Sequence, residues 1–509
     1  MSHIISTGAN GQLDGMTAAD VTELVVEALK SERIVLHFHG GLVNKAAGEG
    51  VARMLTPVYE KAGAYPIFFV WQSGAVEIIR HNLLEIAREE LFDRLLRRIL
   101  AWSVGKVRDV AGGRPGLTTS LPSEQEVKAE LAARKRKTDP ETGEEPFRAE
   151  EPRSGVTLTQ EEEERFLTDV EQDADVREAL YGAMADRGLE ARTEGGRGVP
   201  HVPPMKTRMD AAVLEELADD GAEGARGLVS TYALAKRALG VLRSVLARYD
   251  LGTHHGVYPT VVEELLRSFY IADLGGAEWQ AMKKETADTF ESKGERGGRL
   301  LMDALAAGLP ADGSKRITLV GHSTGAVFID NLIAEVLQRD DAQGRSLPRD
   351  QRFQVCFLAP AATSVHFADA LGKQPDWLGR ERIGRFRMFT MTDAAERADR
   401  LAGAVYPRSL LYLVSGLLER DASAKSAWSP LVGLARYFDG DVDELLRSDQ
   451  GKAARLADLR DYLGGQGLLV RSPTEPEAEL GFRSGAIRHG DFDNDPLVQE
   501  SLVELIRTW

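Results

Sequence analysis

A serine set between glycines, Gly321-His322-Ser323-Thr324-Gly325, is the stretch of this chain best suited to nucleophilic chemistry. A serine hydroxyl attacks a carbonyl only when a base removes its proton and the backbone holds it clear of its surroundings. G-x-S-x-G meets the second condition when the serine sits on a tight turn from strand into helix, where side chains at the flanking positions would collide with the two elements. Far upstream, "IVLHFHGGL" ends in His39-Gly40-Gly41-Leu42. Bare backbone N–H groups in such a loop can approach a developing oxyanion without obstruction.

Both motifs need elements to hold them, and the flanking residues supply the pattern. "RITLV" reads as the strand before Ser323, and "AVFIDNLIAEVLQ" as the helix after it, with Val327, Phe328, Ile333 and Val336 as its apolar positions. Other β-rich runs lie at 33–38, 66–71, 353–358 and 385–390. Most are continuous apolar runs, as in parallel strands covered by helices on both faces. Helical patterns at 16–30, 48–62 and 327–338, and a last one opened by Asp495-Pro496, alternate with them. The chain therefore predicts an open α/β sheet.

In this context the two motifs resemble the α/β-hydrolase superfamily, over 33–83 and 299–509. The resemblance implies a mostly parallel sheet flanked by helices, with Ser323 as the nucleophile on an elbow formed by Gly321, His322 and Gly325. It implies one oxyanion donor in the N–H of Thr324 and a second in the loop Gly40, Gly41, Leu42. Some esterases carry a longer H-G-G-G form; Leu42 departs from it and leaves the second donor open between Gly41 and Leu42. The family's chain order is serine, acid, histidine. Of the two histidines after Ser323, His366 follows its strand too closely for an acid-bearing strand to intervene, so His489, in "SGAIRHGDFDNDP", is the expected base. The strand "RFRMFTMTD" delivers Asp393 at its C-terminal end, the edge where open α/β sheets collect functional groups. Asp393 is the first choice for the acid, with Glu396 and Asp399 as substitutes; its alternative role is to cap the helix that follows.

No cofactor or metal is expected. His37 and His39 form an H-x-H pair without a third ligand at a recognisable spacing. The run Asp491, Asp493, Asp495 imitates a calcium loop but has Pro496 and Leu502 where glycine and glutamate are required. No phosphate-binding loop G-x-x-x-x-G-K-[ST] occurs.

Composition narrows the function classes. A net charge of -16 over 509 residues argues against a nucleic-acid partner. One cysteine, Cys356, excludes an internal disulfide and fits a cytoplasmic location. The opening residues lack the basic flank and apolar core of a secretory signal, and no window approaches the roughly 18 uncharged apolar residues of a membrane span.

The interval between Trp71 and Arg316 carries no convincing strand and far exceeds the dozen or so residues a crossover needs. We expect a discontinuous catalytic core, 1–83 and 296–509, interrupted by a mainly helical insertion, 84–295, acting as lid or partner-binding segment. Within it, 115–175 is rich in charge, proline and glycine, the composition of a disordered segment. The stripe Leu84, Leu91, Leu95, Ile99, Trp102 reads either as a packed face or as a peripheral lipid contact. The expected function is hydrolysis of an ester, thioester or related acyl bond, on a small-molecule or lipid-like substrate, through a Ser-His-Asp triad. The alternative is a non-catalytic binding module that recruits a protein through the insertion.

Overall fold

The computed structural model describes residues 3–41, 45–71, 75–111, 129, 156–190, 207–219, 231–341, 346–371, 382–419, 428–439, 450–465 and 467–509. Seven strands form one sheet: β1 (Ile4–Thr7), β2 (Arg33–Phe38), β3 (Ala64–Trp71), β4 (Arg316–His322), β5 (Phe353–Leu358), β6 (Ile383–Met391) and β7 (Leu469–Ser472). Their order is β1-β3-β2-β4-β5-β6-β7, and every pairing is parallel. The five strands anticipated from apolar runs are the five inner ones; the two edge strands were not anticipated.

Side chains of a strand alternate between faces, so a sheet covered on both sides needs two cores. On one face Ile34, Leu36 and Phe38 join Ile317, Leu319, Val355 and Phe357. On the other, Val35, Val320, Cys356 and Leu358 pack with Leu55 and Tyr59 of the helix that follows β2 and with Leu502 and Ile506 near the C-terminus. Cys356 is fully buried at the centre of the sheet.

The helices that flank the sheet start with α1 (Ala18–Ala28) and α2 (Lys45–Lys61). Between β3 and β4 the described residues form helices and no strand: α3 (Ala75–Ile86), α4 (Glu90–Ala111), α5 (Gln160–Glu171), α6 (Ala174–Glu190), α7 (Ala211–Asp219), α8 (Thr231–Asp250), α9 (Val257–Phe269), α10 (Gly276–Asp288) and α11 (Gly297–Gly308) among them. Their buried side chains belong to the same apolar cluster as one face of the sheet. After β4 come α12 (Thr324–Asp341), α13 (Ser364–Leu371), the short α14 (Asp393–Ala398) and the C-terminal α15 (Pro496–Arg507).

The structure decides between the two readings of one stretch of the interval and changes the expectation for another. The stripe Leu91, Leu95, Ile99 and Trp102 on α4 is buried, with Trp102 packed edge-on against Phe166, so this face has no apolar surface left for lipid. The acidic run inside 115–175 is ordered as α5, started by a Thr159–Glu162 capping box and anchored by buried Phe166 and Val170. Of the segment expected to be disordered, 115–128 and 130–155 lie outside the described residues. No helix among the described residues is long and apolar enough to cross a membrane.

Register brings the two motifs together. Phe38 at the end of β2 lies beside Gly321 of β4, and His322 lies beside Leu358 at the end of β5. The residues that follow, His39-Gly40 and Ser323, therefore leave the sheet at the same edge.

Candidate active site

Ser323 occupies the left-handed region, with φ of 53°. For a residue with a Cβ this conformation costs about 1–3 kcal/mol and persists only where the surroundings impose it. Here the exit of β5 does so: Ser323 N–H donates to Leu358 O at 2.9 Å, and Ala361 N–H donates to Ser323 O at 3.0 Å. The glycines are explained by contact. A Cβ on Gly325 would stand 2.0 Å from Phe38 O, and one on Gly321 would stand 2.7 Å from the Gly325 carbonyl. The elbow is thus a close approach of three backbone segments that only glycine permits.

His489 reaches the serine from the loop ahead of α15. Its Nε2 lies 2.9 Å from Ser323 Oγ, and both residues are buried, at 3% and 1% exposure. Asp495 shapes this loop by accepting from Gly485 N–H and capping α15 through Val498 N–H. Burial, reinforced by the charge of His322, lowers the His489 pKa to about 3, so the ring is neutral at neutral pH. Its Nδ1 has no hydrogen-bond partner among the described residues.

The three candidate acids separate. Asp393 accepts from the Tyr412 hydroxyl and lies 3.8 Å from Arg397, and the structure gives it no bond to His489. Nor does it cap its helix, because Thr392 takes that position and Asp393 becomes the first helical residue. Glu396 is buried, and burial, with the nearby charges of Asp399 and Asp393, holds its pKa well above the usual carboxylate range. Asp399, at the C-cap of α14, accepts the His489 backbone N–H at 2.9 Å. Six residues of helix turn the chain so that Asp399, rather than Asp393, meets the histidine loop.

Thr324 is the first residue of α12, where helix geometry leaves N–H groups without intrahelical acceptors and concentrates positive potential. Opposite it, a Cβ on Gly40 would lie 3.0 Å from Ser323 Cβ, and one on Gly41 would run into Met282 of α10 and stand 2.9 Å from Thr324 Oγ1. Gly40 therefore lies against the serine, and Gly41 against Thr324 beside it. Leu42 lies outside the described residues. The Thr324 hydroxyl is buried without a partner among the described residues.

No family model, curated protein or solved structure matches the chain.

Beneath the serine lies a group of histidines that the motifs did not anticipate as a unit. His39 is committed to the protein on both ring nitrogens: Nδ1 lies 2.8 Å from Gly40 O, and Nε2 accepts from Trp71 N–H at 3.3 Å. His37 Nδ1 lies 2.9 Å from the Tyr59 hydroxyl, and its Nε2 is 3.8 Å from Asp493. His322 Nδ1 lies 2.7 Å from Asp493 Oδ2, and its Nε2 lies 2.9 Å from His489 O. The sequence marks Asp493 only as part of a calcium imitation; its place four residues beyond His489 is the available signal. Among the described residues no group of three or more His, Cys, Asp or Glu side chains is placed to hold a metal. The arrangement offers a hydroxyl against a neutral imidazole in a site largely closed to water, the starting geometry for proton transfer and nucleophilic attack.

Proposed function

We propose that this protein is a serine hydrolase that cleaves an ester, thioester or related acyl bond through an acyl-enzyme. The observation that carries the proposal is the 2.9 Å approach of His489 Nε2 to Ser323 Oγ, on a serine held in a left-handed turn between strand and helix. In the first step His489 Nε2 takes the hydroxyl proton as Ser323 Oγ bonds to the acyl carbon. The Thr324 N–H and N–H groups of the loop 40–42 receive the oxyanion. His489 then protonates the leaving group, and water activated by the same nitrogen releases the acid.

The acid of the triad is assigned to Asp399. One of its oxygens receives the His489 backbone N–H, and Nδ1 of the same histidine has no partner among the described residues. A carboxylate there would fix the tautomer and stabilise the imidazolium, whose formation burial opposes. A lipid-like or other apolar acyl group suits the thioether of Met282 over Gly41.

One observation favours a second reading. Ser323 is nearly inaccessible beneath α10, as on a scaffold that binds without catalysing. Labelling with a fluorophosphonate separates the two. A serine hydrolase is modified at Ser323, and the Ser323→Ala variant is not; a folded wild-type protein that resists the probe and a panel of esters of graded chain length is a binding module.

A further inference from the structure

His322 is bonded on both ring nitrogens, and both partners accept. Nδ1 faces Asp493 Oδ2 at 2.7 Å, and Nε2 faces the backbone carbonyl of His489 at 2.9 Å. A neutral imidazole carries one N–H and would turn a lone pair toward one of these oxygens. Two N–H groups satisfy both, and the ionised carboxylate then compensates the positive charge. We propose that His322 and Asp493 form a buried imidazolium–carboxylate pair that positions His489 for catalysis by holding its backbone carbonyl. The proposal rests on the hydrolase reading above.

The connectivity supports a positioning role. His322 immediately precedes the nucleophile, and Asp493 lies four residues after the base, so the pair joins the elbow to the histidine loop across 167 residues of chain. Movement of that loop would break a charge-assisted bond in a site from which water is excluded. Buried ion pairs contribute little net stability, because desolvation offsets their attraction; their best-attested use is to fix one arrangement.

The groups around the pair make the charge assignment consistent. His37 on β2 and His39 beyond it are held to a pKa of about 4 by burial, and Tyr59 on α2 is raised well above 10 by burial and by Asp493. The Cys356 thiol on β5 is pushed up to about 12. All are neutral at neutral pH. Burial opposes the charge of His322, but the charge and hydrogen bond of Asp493 outweigh it and raise its pKa above 6.5. Burial also opposes ionisation of Asp493, and the attraction of His322 overcomes this to hold it at about 2. His489, its ring 5.3 Å from that of His322, therefore faces a nearby positive charge that resists its protonation.

The test uses the full-length chain labelled with ¹⁵N at histidine. Long-range ¹H–¹⁵N spectra at neutral pH are expected to show both His322 ring nitrogens protonated, with the assignment made by loss of the signal in His322→Gln. A neutral His322 overturns the proposal without recourse to any activity. In the second arm, fluorophosphonate labelling and ester hydrolysis are followed against pH for Asp493→Asn, His322→Gln and the double variant, with circular dichroism to verify folding. Each single substitution should slow labelling about tenfold to a hundredfold, the cost of misplacing a reacting group by an ångström or so. KM should hold while kcat falls, and the acidic limb of the profile should move to higher pH as His489 loses its charged neighbour. The double variant should be no slower than the slower single one, because the pair acts as a unit. Wild-type rates in the single variants, or losses that multiply in the double one, overturn the positioning role. A wild-type protein that shows the imidazolium but takes no label refutes the hydrolase reading and the positioning role with it, and leaves the ion pair standing.

Discussion

Ser323 and His489, separated by 166 residues, meet with Oγ and Nε2 2.9 Å apart. Replacing Ser323 by alanine should lower ester hydrolysis by about four to six powers of ten and abolish fluorophosphonate labelling, if hydroxyl and imidazole act together. Activity of the variant within tenfold of the parent would falsify the nucleophile assignment.

Asp399 and Asp393 make opposite predictions. Asparagine at 399 leaves His489 without a carboxylate to orient it and should lower kcat by about two to four powers of ten. Asparagine at 393 disturbs the contacts with Tyr412 and Arg397, neither of which touches His489, and should leave kcat within a few-fold. Steady-state kinetics of the two variants decide the matter, and the reverse result would return the role to Asp393.

Gly325 tests the elbow as packing. A methyl group there must stand where Phe38 O now lies, 2.0 Å away, so Gly325→Ala should destabilise the protein by about 3 kcal/mol and displace Ser323. Urea unfolding measures the first effect and labelling the second. An unchanged midpoint would show that the elbow does not require glycine at this position.

Met282 tests access. Truncation to alanine removes the thioether over Gly41 and should speed labelling by bulky phosphonates several-fold, while costing about 2–5 kcal/mol of stability as a cavity forms. Equal labelling rates for small and bulky probes in both proteins would mean that α10 does not limit entry.

The buried histidines set a pH dependence. His37, His39 and His255 have pKa values of about 4, His489 about 3, and His254 lies well below 6.5, all lowered chiefly by burial. The unfolded chain protonates these rings near pH 6.5, and the folded one does not. Stability must therefore fall as the pH drops below about 6.5, by about 1 kcal/mol per pH unit for each ring. Asp330 and Glu396, raised by burial, act in the opposite direction above pH 4, but they are outnumbered. Denaturant midpoints between pH 7 and 4 should decline; a rise would contradict the neutral state of these histidines.

Legibility followed length and contrast. The five inner strands announce themselves as apolar runs because both faces are covered. β1, "IIST", and β7, "LVRS", are four residues each and half polar, too short for a pattern to rise above its surroundings. The helix α5 was hidden by its own glutamates, which occupy the solvated face around Phe166 and Val170. At the site, Ser323 and His489 were marked by glycines and by chain order. The acid was not, because Asp393, Glu396 and Asp399 differ only in how far a short helix has turned. The partnership of His322 with Asp493 depends on register between distant segments and leaves no local signature.

Cys356 carries a practical consequence. It is the sole thiol of the chain, sealed at 0% exposure in the middle of the sheet and poorly ionised. A thiol reagent can reach it only when α2 and α15 lift from this face or the sheet itself opens. The rate of its alkylation under native conditions is therefore a built-in clock for opening of this core, readable by mass spectrometry without any engineered label.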